Sequence, residues 1–145
     1  MKISTRSRYG LRLMFELGLR YHEPLVQLKV IADTQQISEK YLSQIIIPLR
    51  AAGLVESVRG SQGGYRLAKT PQSITVREVI ETLEGSLYPV DCSDGKECPR
   101  QKICPSTSVW TRLGDKIIET LDAITLENMI EDYRNRISAD LAFDI

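Results

Sequence analysis

Residues 37–67, ISEKYLSQIIIPLRAAGLVESVRGSQGGYRL, decide the fold of this 145-residue chain. The first half of this stretch predicts a helix over 39–52. Ser38 is a suitable N-cap, Glu39 is favourable in the first turn, and Gly53 ends the helix. The apolar residues of this segment recur at helical spacing and predict that one face of the helix is buried.

The second half of the stretch predicts a β-hairpin. Apolar and polar residues alternate up to Val58, the chain turns through the glycine-rich segment 60–64, and the pattern resumes at Tyr65. A hairpin of this kind directly after a helix is typical of a wing.

The residues before the stretch complete the predicted unit. Residues 26–34 predict a short helix that faces the core with Val30 and Ile31, and the segment QQIS at 35–38 is the turn that follows. Two short helices joined by such a turn form a helix-turn-helix. An amphipathic helix precedes them at 8–20. The predicted fold is therefore mainly α with a small β-hairpin wing, a winged helix-turn-helix followed by a long dimerisation helix.

The chain divides into three predicted regions. Residues 1–85 form the DNA-binding domain, which ends with a helix opened by a capping box at Thr75 and closed by Gly85. Residues 86–105 form a cysteine-containing loop, and residues 106–145 hold the dimerisation helix and a C-terminal helix. The stripe predicted to pair with a second copy consists of Trp110, Leu113, Ile117 and Leu121.

The charge of the chain is unevenly distributed. The formal net charge is zero, with 19 basic and 19 acidic residues, but residues 1–70 carry a net +6 and residues 71–145 a net −6. Such asymmetry indicates a module that binds a polyanion. No apolar run approaches the roughly 18–20 residues of a membrane span, and no signal peptide is recognisable, so we expect a cytoplasmic protein without a membrane segment.

Double-stranded operator DNA is the predicted partner. The helix at 39–52 offers Lys40 and Gln44 near its N-terminal end, where a recognition helix meets base edges, and Arg59 at the hairpin tip suits a minor groove. Each feature alone also fits a solvated basic face, and Tyr41 also fits a packing role; the order of the elements favours DNA. The predicted DNA-contacting residues are Lys2, Arg6, Arg8, Ser38, Lys40, Tyr41, Ser43, Gln44, Arg59, Gly60, Gly63 and Gly64.

Three cysteines lie in the loop: Cys92, Cys98 and Cys104, each separated from the next by five residues. This is not the short CxxC spacing of a zinc knuckle, and an odd number fits poorly with structural disulfides. Four interpretations stay open: an iron–sulfur cluster, zinc, redox-active thiols or inert cysteines. No enzyme and no small-molecule substrate are predicted, because His22 is the only histidine and lies far from these thiols in sequence.

The sequence resembles the Rrf2 family of transcription regulators, of the IscR and NsrR type, almost end to end. The segments that carry the resemblance are MKISTRSRYGLRLM, ISEKYLSQIIIPLRAAGLV, SVRGSQGGYRLAK, ITVREVIETLEG and the cysteine loop running into Trp110. The resemblance implies a homodimeric winged-helix repressor or activator whose helix at 106–122 pairs across a two-fold axis. It also implies an iron–sulfur cluster on the three cysteines, [2Fe–2S] rather than [4Fe–4S], that senses iron–sulfur, iron, nitric oxide or redox status.

The sequence departs from that family pattern at three positions. IscR-like members place a fourth ligand, a histidine, where this chain has Thr107, and NsrR-like members use an acidic residue where it has Arg8. The fourth ligand is therefore unassigned, with His22 a weak candidate. Ser43 replaces a glutamate that tunes operator choice in IscR-like proteins. The other candidate ligands are a buffer thiol, Asp91, Asp94 and Glu97.

Overall fold

A computed structural model describes residues 2–144 of the chain. Within that range the chain is mainly helical, with one two-stranded antiparallel hairpin, which confirms the predicted winged helix-turn-helix fold. Single turns of 3-10 helix lie at Pro71–Ser73 and Asp91–Ser93. The elements are α1 (Thr5–Leu19), α2 (Leu28–Gln35), α3 (Glu39–Ala51), β1 (Val55–Val58), β2 (Gly64–Leu67), α4 (Val76–Glu84), α5 (Thr107–Asp122) and α6 (Leu126–Phe143).

The helix-turn-helix is formed by α2 and α3. The Ser38 hydroxyl caps α3 by accepting a hydrogen bond from the Tyr41 backbone N–H at 3.3 Å, as predicted. The prediction for α2 was wrong in one respect. Ile31 is fully buried, but the Val30 side chain is 39% exposed, because α2 begins at Leu28 and its buried stripe falls on other positions.

Backbone hydrogen bonds join the start of the helix-turn-helix to the wing. Val26, which was expected to lie in the helix, instead pairs antiparallel with Tyr65 of β2. The Val26 N–H donates to the Tyr65 carbonyl and the Tyr65 N–H donates to the Val26 carbonyl, both at 2.8 Å. The wing is therefore hydrogen-bonded to the segment that leads into α2.

One apolar core lies under the helix-turn-helix and reaches α6. Leu13 and Leu17 of α1, Ile31 of α2, and Leu126 of α6 are fully or almost fully buried in it. The starts of α4 and α6 are also joined, since the Leu126 N–H donates to the Ile74 carbonyl at 3.0 Å. Both helices begin with a capping box, which the sequence predicts for α4.

Helix α5 packs on α4 around a smaller apolar cluster. Val76, Ile80 and Leu87 are buried there, and the partly buried Ile117 and Leu121 of α5 pack against them. Two residues of the predicted dimerisation stripe are thus partly covered within their own chain. No helix among residues 2–144 has both the length and the apolar character needed to cross a membrane.

Candidate functional site

The outward face of α3 presents polar side chains in a row. Leu42, Ile45, Ile46 and Leu49 are buried and hold the opposite face against the core. Lys40, Ser43 and Gln44 are therefore exposed together, because residues three and four apart share one face of a helix. Tyr41 is half-buried, and its ring meets the Tyr9 ring edge-on at 5.9 Å, so it packs α3 against α1.

Two further residues belong to this face and were not predicted from the sequence. Ile47 and Arg50 are both exposed and continue the row toward the C-terminal end of α3. Ile47 is 62% exposed, which is unusual for isoleucine on a helix otherwise well packed. The spacing of three from Gln44 to Ile47 and from Ile47 to Arg50 was the signal that could have identified both residues.

The wing tip carries the exposed Arg59 beside Gly60, whose φ of 118° is accessible to glycine and strained for other residues. The other two glycines predicted to approach DNA have a structural reason of their own. A Cβ on Gly63 would collide with the Val58 carbonyl oxygen, and a Cβ on Gly64 would lie 2.8 Å from the Val26 carbonyl oxygen. Close backbone approach within the chain thus accounts for Gly63 and Gly64.

The N-terminal basic residues surround the start of α1. Lys2, Arg6 and Arg8 are all exposed. The Glu84 carboxylate at the end of α4 accepts a hydrogen bond from the Ser4 backbone N–H at 2.7 Å. Hydrogen bonding from Ser4 lowers the pKa of Glu84. This contact connects the basic start of α1 to the helix that leads into the cysteine loop.

Helix α1 is joined to the helix-turn-helix by a buried carboxylate that the sequence analysis did not single out. Glu16 is 2% exposed and accepts hydrogen bonds from Gln35 Nε2 at 2.6 Å and from Arg20 Nε at 3.3 Å. Arg12 of α1 donates hydrogen bonds to both the side-chain oxygen and the backbone carbonyl of Gln35. These residues position the turn between α2 and α3.

The three cysteines are free and half-buried in the loop between α4 and α5. Thiolates are suitable ligands for iron and zinc, so the donor type fits a metal or cluster. In residues 2–144, however, no group of three or more His, Cys, Asp or Glu side chains is placed to hold a metal ion. The donors are present, but the conformation described does not bring them together.

Cys104 has the most distinctive surroundings in this loop. Its Sγ lies 3.3 Å from the Ser106 Oγ at the start of α5. Hydrogen bonds from Ser106, and then from Thr107, lower the pKa of the Cys104 thiol from 9.0 to about 7. His22 is exposed in the turn after α1, with its ring edge-on to Tyr21 at 5.4 Å, and remains an untested candidate ligand.

A family model described as an iron-dependent transcriptional regulator, Rrf2, matches residues 3–132. The chain belongs to the Rrf2 family. The relatives of this chain in the family are transcriptional regulators and not enzymes, as predicted. The transcriptional regulator CymR of Bacillus subtilis is 43% identical over 129 residues, which is 89% of each chain. IscR of Aliivibrio salmonicida is 34% identical over 149 residues, with 99% of this chain and 89% of that protein covered.

Solved structures of Rrf2 regulators show the same architecture. The structure titled T. potens IscR has a TM-score of 0.76 and 44% identity, and the alignment covers 92% of this chain and 88% of that one. CymR, described as the global cysteine regulator of B. subtilis, has a TM-score of 0.73 and 43% identity, covering 89% and 95% respectively. The chain is therefore similar both to IscR and to a cysteine regulator.

Proposed function

We propose that this Rrf2 regulator binds double-stranded operator DNA as a homodimer, with α3 in the major groove and the wing tip at the adjacent minor groove. The observation that carries the proposal is the exposed polar face of α3, with Lys40, Ser43 and Gln44 held outward by the buried opposite face. The net charge of +6 in residues 1–70 provides the attraction to phosphate. Operator DNA also implies a cytoplasmic location.

Individual residues have distinct parts in this proposal. Gln44 is suited to a bidentate pair with adenine, and Lys40 to guanine or phosphate. Arg59 enters the narrow minor groove, where the negative potential is enhanced. Lys2, Arg6 and Arg8 neutralise phosphates. In a dimer, two copies of α3 would read half-sites about 34–36 Å apart, one turn of DNA.

We further propose that Cys92, Cys98 and Cys104 hold an iron–sulfur cluster, [2Fe–2S] in preference to [4Fe–4S]. The thiolate donor type, the iron-dependent description of the family and the similarity to IscR support this. A bound cluster would supply a centre that responds to iron, nitric oxide or redox state. The loop must rearrange to gather the thiols, and the fourth ligand stays open.

The loop has a direct mechanical connection to the DNA-binding surface. Leu87 at its start is buried between α4 and α5, and the Tyr88 hydroxyl donates to Asp115 of α5 at 2.7 Å. Glu84, at the end of α4, holds the backbone of Ser4 at the start of α1. A loop conformation fixed by its thiolates would therefore bias the positions of α1 and α5, and with them the spacing of two recognition helices.

A second candidate is a thiol sensor without metal. CymR, described as a global cysteine regulator, is 43% identical to this chain, and one solved CymR from Staphylococcus aureus is described as an oxidised form. The lowered pKa of Cys104 favours thiolate chemistry at neutral pH. In this case a two-electron oxidant such as a peroxide would convert two cysteine thiols of the loop to a disulfide, with the loss of two protons, and a thiol reductant would reverse the reaction.

Selection of binding sites from random-sequence DNA, followed by affinity measurements at several salt concentrations, tests DNA binding. Arg59→Ala should weaken binding and reduce the slope of log affinity against log salt by about one per protomer, which is about two for the dimer. Arg134→Ala, which removes an exposed arginine from α6, is the matched control and should leave both unchanged. Equal binding by the Arg59→Ala variant and the unmodified protein would remove the wing from the interface.

Absorption spectra and metal analysis of anaerobically purified protein distinguish the sensing mechanisms. Visible absorption together with bound iron and sulfide supports a cluster. Bound zinc in a colourless protein supports a zinc site. A protein that contains no metal and forms a reversible disulfide supports the thiol sensor. The variant with alanine at all three cysteines should then lose the response of DNA affinity to the signal. If the triple-alanine variant binds the operator with the same affinity as the cluster-loaded protein, these cysteines do not control DNA binding.

A further inference from the structure

The outward face of α3 carries a large apolar side chain on the C-terminal side of its polar residues. Ile47 lies four residues after Ser43 and three after Gln44, and its position is almost opposite the buried Ile45, Ile46 and Leu49. With 62% of the residue exposed, it is among the most exposed large apolar residues of the winged-helix unit. The polar Lys40, Ser43 and Gln44 precede it on this face, and Arg50 and Ala51 follow it. Ile47 is therefore a large, exposed apolar side chain directly beside the polar surface that is proposed to meet base edges.

The major groove contains an apolar group of matching chemistry. Thymine presents a C5-methyl there, beside the hydrogen-bonding groups that polar side chains recognise, and apolar side chains contact that methyl. We infer that Ile47 is a specificity-determining residue that contacts the C5-methyl of a thymine in each half-site. This inference rests on the proposed DNA-binding function and adds a base preference to it.

The surroundings of Ile47 favour DNA as the occupant of this surface. Beyond Ile47, a groove of about 550 Å³ runs between the end of α3 and β1, lined in part by Arg50, Val58 and Arg66. The Arg66 Nε is paired with Glu56 at 2.9 Å, whereas Arg50 takes part in no ion pair within residues 2–144. An apolar contact flanked by an available arginine suits a thymine methyl and the phosphate strand beside it.

Thymine-to-uracil substitution tests the contact, because it removes only the methyl group. The probe is the DNA site selected from a random pool by the unmodified protein, with each thymine replaced in turn by uracil. We expect one position per half-site where uracil weakens binding about threefold to fivefold, the effect of one buried methyl group. In the Ile47→Ala variant the same substitution should have no effect. Phe143→Ala, which truncates an 89% exposed phenylalanine at the end of α6, should keep the full uracil effect.

The outcomes separate this inference from the proposed function. If the protein selects a site but no uracil position loses its effect in Ile47→Ala, DNA binding stands and the thymine contact is wrong. If the protein selects no site and binds without salt dependence, both the proposed function and the thymine contact are wrong. Circular dichroism of Ile47→Ala should match the unmodified protein, since the side chain is exposed and alanine favours helix.

Discussion

At the scale of single residues, Cys104 is the clearest case of a side chain tuned by its neighbours. Hydrogen bonds from Ser106 and Thr107 stabilise its thiolate and bring its pKa from 9.0 to about 7. In metal-free, reduced protein, alkylation of Cys104 by iodoacetamide should rise steeply with pH through about 7 and level off above it, because the thiolate is the nucleophile. Mass spectrometry of the Cys104 peptide after short labelling pulses measures this profile.

The Ser106→Ala variant tests the cause of that pKa. Loss of the largest stabilising hydrogen bond should move the midpoint of the alkylation profile toward 9 and slow labelling at pH 7 several-fold. Ser108→Ala removes an exposed hydroxyl two residues further along the chain and should leave the profile unchanged. A midpoint that stays near 7 in Ser106→Ala would show that another group stabilises the thiolate.

At the scale of elements, the contact between α1 and the helix-turn-helix depends on Glu16. Its carboxylate is almost fully buried and relies on Gln35 and Arg20 for hydrogen bonds. Gln35→Ala should lower the free energy of unfolding by about 1–3 kcal/mol, because a buried charge loses a partner. It should also weaken DNA binding, since Gln35 ends α2. Urea unfolding and affinity for selected DNA measure the two effects.

A matched control for this prediction is Gln72→Ala, which truncates an exposed glutamine in the 3-10 turn at Pro71–Ser73. We expect no change in unfolding or in DNA affinity for that variant. If Gln35→Ala is as stable as Gln72→Ala, then Arg20 alone satisfies the Glu16 carboxylate, and the link between the two elements is weaker than the 2.6 Å hydrogen bond indicates.

Most elements could be predicted because their signals are local. Ser38 and Thr75 cap the helices that follow them, and Gly53 marks the end of α3 with a φ of 75°. Val30 was predicted to be buried and is exposed, because Leu28, Ile31 and Ala32 form the buried face of α2. Val26 was predicted to lie in that helix and instead pairs with Tyr65. That pairing joins residues far apart in sequence and has no local signal.

The candidate site was predictable to a similar degree. Lys40, Ser43 and Gln44 follow from helical spacing once the buried face of α3 is known. The buried role of Glu16 does not follow, because a glutamate in an amphipathic helix is ordinarily solvated and only packing against Gln35 reveals its environment. Likewise, the three cysteines identify a donor set, but their sequence spacing does not determine whether the loop gathers them.

At the scale of the whole molecule, the two halves of the chain have opposite charges and different proposed tasks. Most of the +6 of residues 1–70 lies in the N-terminal segment and α1, since residues 1–20 alone carry a net +4. The −6 of residues 71–145 comes from the regions of α4, α5 and α6, whereas the cysteine loop at 86–105 has no net charge. A homodimer joined through α5 would hold two basic surfaces against one DNA duplex while the acidic regions keep away from phosphate. Zero net charge is therefore compatible with salt-dependent DNA binding.

The dimer itself is the last prediction, and its contact must come from the part of α5 that α4 leaves uncovered. Ile117 and Leu121 pack against the apolar cluster of their own chain and are partly buried there. Trp110, in contrast, is 36% exposed, and the half-buried Leu113 lies on the same stripe. Sedimentation equilibrium should give twice the 16.4 kDa chain mass for the unmodified protein. Leu113→Asp should raise the dimer dissociation constant roughly thirtyfold, because it places a charge in the centre of an apolar contact.

The Leu113→Asp variant should also lose selective binding to the two half-sites of the operator. It should keep weak, salt-dependent binding to DNA, because each separate chain retains its own basic surface. Ile103→Asp, a charge introduced at an exposed apolar residue outside α5, should remain dimeric and selective. A Leu113→Asp protein that still sediments as a dimer would place the two-fold contact elsewhere. The exposed apolar residues of α6, such as Ile137 and Leu141, would then be the next surface to test.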